Sequence, residues 1–92
     1  MNTTMETLLQ LIQQIENDPN IQHSEYVPIL LPIVMEIQSI AEDVLITEKG
    51  QCNWKNIKIL EENNIHVFPV EWDVGGWIVG GISTTKGIIT YG

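Results

Sequence analysis

Residues 44–51, "VLITEKGQ", decide how the chain is divided between helix and sheet. Before them the apolar residues recur at helical spacing; after them they come in short runs. Val44 to Thr47 is a four-residue apolar run closed by "EKGQ", a turn signal. It reads as a strand, apolar on both sides and so expected to be covered on both.

Working back, Ile33, Val34, Ile37, Ile40, Ala41 and Val44 form an apolar stripe. Glu36, Ser39 and Asp43 fall on the opposite face. This second helix is expected to begin between Ser24 and Pro28. Pro32 either moves its true start to near Ile29 or kinks it, because proline is at home only in a first turn. The first helix carries Met5, Leu8, Leu9, Ile12 and Ile15 on one side and stops at Asn17-Asp18-Pro19. Thr3 and Glu6 have the spacing of a capping box.

Working forward, Asn53 can cap a third helix from Trp54 to about Asn63, and Asn64 suits a left-handed helix end. Ile65 to Val70 reads as a strand in which Pro69 favours an edge or a bulge. Trp77 to Ser83 and Ile88 to Tyr91 read as a hairpin around "TTKG". The expected fold is α+β within residues 1–92 as one domain. Two N-terminal helices precede a β-α-β-β-β run, and a small mixed sheet ends in an antiparallel hairpin. The strand–helix–strand portion is long enough for a parallel crossover.

The chain has 92 residues, 12 acids, 4 lysines and no arginine, for a net charge of −8. The asymmetry says more than the total. Eight acids and no lysine precede Lys49, whereas four acids and four lysines follow. One-signed surfaces imply a partner of opposite charge, and the lack of basic groups excludes phosphate-driven nucleic-acid binding. The longest apolar run, residues 26–35, is interrupted by Pro28 and Pro32 and is shorter than the ~20 residues of a membrane span. No basic residue precedes the apolar part of the N-terminus, and Cys52 is the sole cysteine. A cytoplasmic protein with no membrane association is expected.

"EWDVGGWIVGG", residues 71–81, raises the question of a ligand loop. Its GG-x-x-x-GG spacing departs from the dinucleotide fingerprint, and "TTKG" departs from a P-loop. A structural corner fits better: Gly75-Gly76 turning between strands, Gly80-Gly81 marking a bulge or a close approach. Cys52, His66 and Asp73 are the residues from which a nucleophile–base–orienter set could be drawn, but they belong to different elements. With no HxxxH or CxxC, no metal or cofactor site is expected.

The carboxylates suggest function. Glu42 and Asp43 fall in the last turn of the second helix, where each negative charge costs about 0.3–1 kcal/mol. Such a cost is explained if the acids serve binding. The expected function is a non-enzymatic acidic inhibitor, of immunity, antitoxin or phage type. It would neutralise a basic protein such as a nuclease toxin or a defence effector. Glu36, Glu42, Asp43, Glu48 and Asp73 would supply charge, with Trp72 or Trp77 as packed anchors. The alternative is a nucleotide-signal binder using Trp72, Gly75, Gly76, Trp77 and Lys86. A homodimer is compatible with either reading.

Overall fold

The computed structural model describes residues 3–73 and 76–90, with the side chains of Thr3, Trp72 and Asp73 outside that description. Three helices, α1 (Thr3–Asn17), α2 (Pro32–Leu45) and α3 (Trp54–Glu62), precede three strands, β1 (Val67–Asp73), β2 (Gly76–Thr84) and β3 (Gly87–Thr90). The strands form an antiparallel sheet in the order β1-β2-β3. The fold is α+β. Val67, Val79, Ile82 and Ile89 from the sheet share one core cluster with Leu8, Ile12, Ile37, Leu45 and Leu60 from the helices. The helical layer therefore covers one face of the sheet.

The strand expected at 44–47 is not formed. Val44 and Leu45 complete the last turn of α2. Ile46 makes only an isolated antiparallel bridge with Cys52. The helical period of Ile37, Ala41 and Val44 continues into Leu45, so burial is better served by one more helical residue than by a strand. The carbonyls at that end find donors without a strand: Asn56 Nδ2 donates to Val44 O (2.6 Å) and Asn53 N to Leu45 O (2.7 Å). The parallel crossover disappears with the strand. What is parallel is the bridge from Tyr26 to Ile88 in β3.

The start of α2 also differs from expectation. It begins at Pro32, later than Ser24–Pro28 or Ile29, with Leu31 extended as its N-cap (φ −66°, ψ 130°). A residue before proline is pushed out of helical geometry, and proline itself fits the first helical position. Residues 24–27 are engaged elsewhere: Val27 N donates to Ile88 O (2.9 Å), and Ile88 N to Glu25 O (3.0 Å). They lie along the outer edge of β3.

The end of α3 follows the expectation for Asn64, whose φ is +63°. Ile65 N donates to Leu60 O (2.9 Å) and Asn64 N to Glu61 O (3.0 Å). This pair of bonds is a Schellman motif, completed by apolar contact between buried Ile65 and Leu60. At the other end Asn53 Oδ1 accepts from Asn56 N (3.2 Å), the expected N-cap. The capping box expected for α1 falls on the Thr3 side chain, outside the described residues.

The β2–β3 turn binds the two layers together. Gly87 has φ +137°, and a Cβ there would stand 2.6 Å from Ser24 O. Glycine thus lets the hairpin approach the segment after α1. Lys86 is only 9 % exposed, and its Nζ donates to Asp18 O (2.9 Å) and Ile21 O (2.8 Å). Thr85 N donates to Glu16 Oε2 (3.0 Å). Lys86→Met keeps the aliphatic stem but strands two carbonyls. It should lower the unfolding free energy by about 1–3 kcal/mol in urea titration. The same change at exposed Lys55 should cost under ~0.5 kcal/mol.

Candidate functional site

The carboxylates singled out by the sequence are displayed by α2 and the loop after it. Helix geometry places Glu36 and Asp43 two turns apart on one stripe, ~10 Å along the axis. Glu42 lies about 100° around from Asp43. All three are exposed, as is Glu48. Among the described residues none of the four forms an ion pair; the one recorded there joins His66 to Glu61. No basic residue occupies the last turn of α2. Its terminal carbonyls are capped by the neutral donors of Asn53 and Asn56. The negative end of the helix dipole and the Glu42 and Asp43 charges therefore add.

Glu48 and Trp77 are brought to the same end of the molecule. Thr47 N donates to Gln51 O (2.6 Å) and Gly50 N to Thr47 O (2.8 Å), closing the turn that carries Glu48. Cys52 N then donates to Trp77 O (2.6 Å), which fastens this turn beside the beginning of β2. Trp77 is 38 % exposed. The backbone of Trp72 and Asp73 ends β1, but their side chains lie outside the described residues.

Of the residues in the ligand reading, Lys86 lies apart from Gly76 and Trp77. Gly76 and Trp77 open β2, while Gly75 lies outside the described residues. Lys86 sits at the far hairpin tip, its ammonium committed to the two carbonyls after α1. Gly80 and Gly81 are the expected bulge. The register slips between Phe68 and Pro69, leaving Gly80 as the extra residue on β2. A Cβ on Gly80 would collide with Val70, and one on Gly81 would lie 3.1 Å from Ile88. Pro69 is thus both on an edge strand and at a bulge.

Cys52 and His66 do not form a catalytic pair. Cys52 adjoins Trp77, which pairs with Glu71, five residues from His66 along the sheet and thus ~16 Å away. The His66 ring is held by Glu61 (Nδ1 to Oε1, 3.0 Å) and meets Phe68 edge-on at 4.6 Å. Glu61 Oε1 also accepts from Val67 N (3.0 Å), so it caps the first strand residue and orients the imidazole together. Among the described residues no three His, Cys, Asp or Glu side chains gather as metal ligands. No helix among them is long and apolar enough to cross a membrane.

The sequence did not point to the exposed apolar residues around the start of α2. Ile29, Leu30 and Met35 are exposed, Leu30 at 85 %. In the sequence they belong to the apolar run of residues 26–35. Because α2 starts at Pro32, Ile29 and Leu30 instead lie in the loop before it, while Met35 directly precedes Glu36 in α2. The paired prolines, Pro28 and Pro32, were the signal for that loop.

Compared with known proteins, the chain matches no family model, no curated protein and no solved structure.

Burial pushes the Cys52 thiol above its usual range, against a smaller lowering by a backbone hydrogen bond. A raised pKa leaves less thiolate at any given pH. Iodoacetamide should therefore alkylate native Cys52 at pH 8 at least tenfold more slowly than the urea-unfolded chain, as followed by mass spectrometry. Equal rates would show the thiol to be open and unperturbed.

Proposed function

We propose that this chain is a small acidic inhibitor, of immunity, antitoxin or phage-encoded type. It binds and neutralises a basic protein such as a nuclease toxin or defence effector. The observation that carries the reading is the set of exposed carboxylates on α2 and in the turn after it. Glu36, Glu42, Asp43 and Glu48 are exposed and make no ion pair among the described residues, although four lysines are present in the chain.

Charge of this kind acts on encounter. A one-signed face draws a cationic partner in and orients it, raising the association rate and rejecting acidic competitors. Charge alone gives little residence time, because exposed ion pairs are individually weak. Lasting binding needs apolar anchors that leave water. Exposed Leu30, Met35 next to Glu36 in sequence, and Trp77 beside the Glu48 turn would serve as such anchors. The ligand reading is less well supported, since Lys86, its one cation, already has two carbonyl partners.

The test begins with affinity purification from the native host, followed by binding kinetics with the captured partner. A basic protein should be recovered, and its affinity should fall steeply with salt. Reversing Glu36, Glu42 and Asp43 to lysine should slow association tenfold or more. Replacing Leu30 and Met35 by serine should mainly speed dissociation. A neutral or acidic partner, or an association rate indifferent to both salt and charge reversal, would refute the proposal.

A further inference from the structure

A cavity of about 420 Å³ lies in the loop between α1 and α2. Its size falls within the range of small-molecule sites. Half-buried Ile21 and Leu31, which pack against the core, form its inner wall. Tyr26 and Pro28 are exposed and flank it. Gln22 and His23 supply polar edges. Among the described residues neither of these two makes a hydrogen bond.

The loop that carries them is nevertheless held in place. Lys86 Nζ donates to Asp18 O and Ile21 O, and Asn20 N donates to Asp18 Oδ1 (2.8 Å). Ser24 N donates to Lys86 O (3.0 Å), and beyond Tyr26 the Val27 amide is held by Ile88 O. The backbone is thus tied on both sides of Gln22 and His23, while their own polar groups stay unspent. Preorganised groups of this kind bind a ligand without the cost of ordering a loop.

We propose that this cavity binds a neutral nucleobase-like ring, such as a nucleoside carries. Three observations select that chemistry. The first is charge. No Asp, Glu, Lys or Arg lines the cavity, and a chain of net charge −8 repels anions. Lys86, which ties down the loop, has its ammonium committed to two carbonyls and offers no counter-charge to a phosphate.

The second is shape. Tyr26 is 51 % exposed and presents a ring face, and Pro28 adds a flat apolar ring. Planar rings stack on such faces. The third is the polar edge. The Gln22 carboxamide offers two donors and an acceptor, and a neutral imidazole at His23 offers one of each. Nucleobase edges display the same mixture of donors and acceptors. Neither Gly76, Trp77 nor Lys86 lines the cavity, so it is separate from the ligand reading of residues 72–86.

Titration of the isotope-labelled full chain with adenosine, cytidine and uridine to ~5 mM, followed by amide NMR, tests this. At least one nucleoside should bind with a Kd of ~1 mM or below. The saturating shifts should centre on Gln22, His23, Ser24, Tyr26 and Leu31. Tyr26→Ala should weaken binding tenfold or more, whereas Tyr26→Phe, which keeps the ring, should bind like the parent. Should Tyr26→Ala lower the melting temperature, Tyr26→Leu keeps apolar bulk without the ring and should weaken binding likewise. Gln22→Ala should change the ranking of the three nucleosides, which a merely structural role would not. Each 5′-monophosphate should bind more weakly than its nucleoside, the gap narrowing as salt is added. Absence of saturable shifts from all three nucleosides overturns the inference. So do shifts centred away from residues 20–31, ring-removing variants that bind like the parent, or a monophosphate that binds more tightly than its nucleoside. Glu36, Glu42 and Asp43 do not line the cavity, so their reversal to lysine should leave nucleoside binding unchanged, and the two proposals fail separately.

Discussion

The tip of the β2–β3 hairpin, seated against the segment that follows α1, is the contact on which the arrangement depends. Lys86 enters an otherwise apolar interior with its ammonium on the carbonyls of Asp18 and Ile21. A buried lysine is tolerated where such acceptors offset its lost hydration, and the negative end of the α1 dipole lies close by. Gly87 lets the backbone come close enough, and Ser24 N then donates to Lys86 O (3.0 Å). From that clasp, residues 24–27 run beside β3, α1 is held over the sheet, and α2 follows through the loop at Pro28–Leu31. Gln38 of α2 returns to the sheet by donating to Thr90 O (2.6 Å).

Two different surfaces result from one core. Because the helices share a single face of the sheet, the outer side of α2 is free to carry Glu36, Glu42 and Asp43, and the opposite sheet face stays bare. Here Lys86, seated against the segment after α1, is spent on backbone carbonyls, and the carboxylates of α2 make no ion pair among the described residues. Under the proposed function, the acidic layer would supply long-range attraction, while the apolar face carries no charge.

Much of this was legible in the residues. Asn53 and Asn64 announced both ends of α3 because a cap is a local affair, decided within a few residues. Pro69 signalled its edge and bulge for the same reason, and "TTKG" its turn. What failed were choices settled at a distance. Val44 and Leu45 can belong to a strand or a last helical turn on local grounds; Asn53 and Asn56, up to a dozen residues on, cap the helical form. The start of α2 depended on residues 24–27 being claimed by β3, some sixty positions away. Lys86 illustrates the same limit at the functional level, since nothing near it in sequence reveals that the segment after α1 supplies its acceptors. The exposure of Leu30 likewise followed only once Pro32 was seen to open the helix. The α2 carboxylates, by contrast, could be placed from their spacing alone.

Native-state hydrogen exchange tests the clasp most directly. The amides of Ser24, Val27 and Ile88 donate across the junction of hairpin and helix layer. They should open only with global unfolding, exchanging as slowly as amides within the core, and Lys86→Met should speed all three together. If they exchange as freely as those of the exposed 47–50 turn, the hairpin is not seated on α1, and the division into an acidic layer and a bare sheet face does not hold.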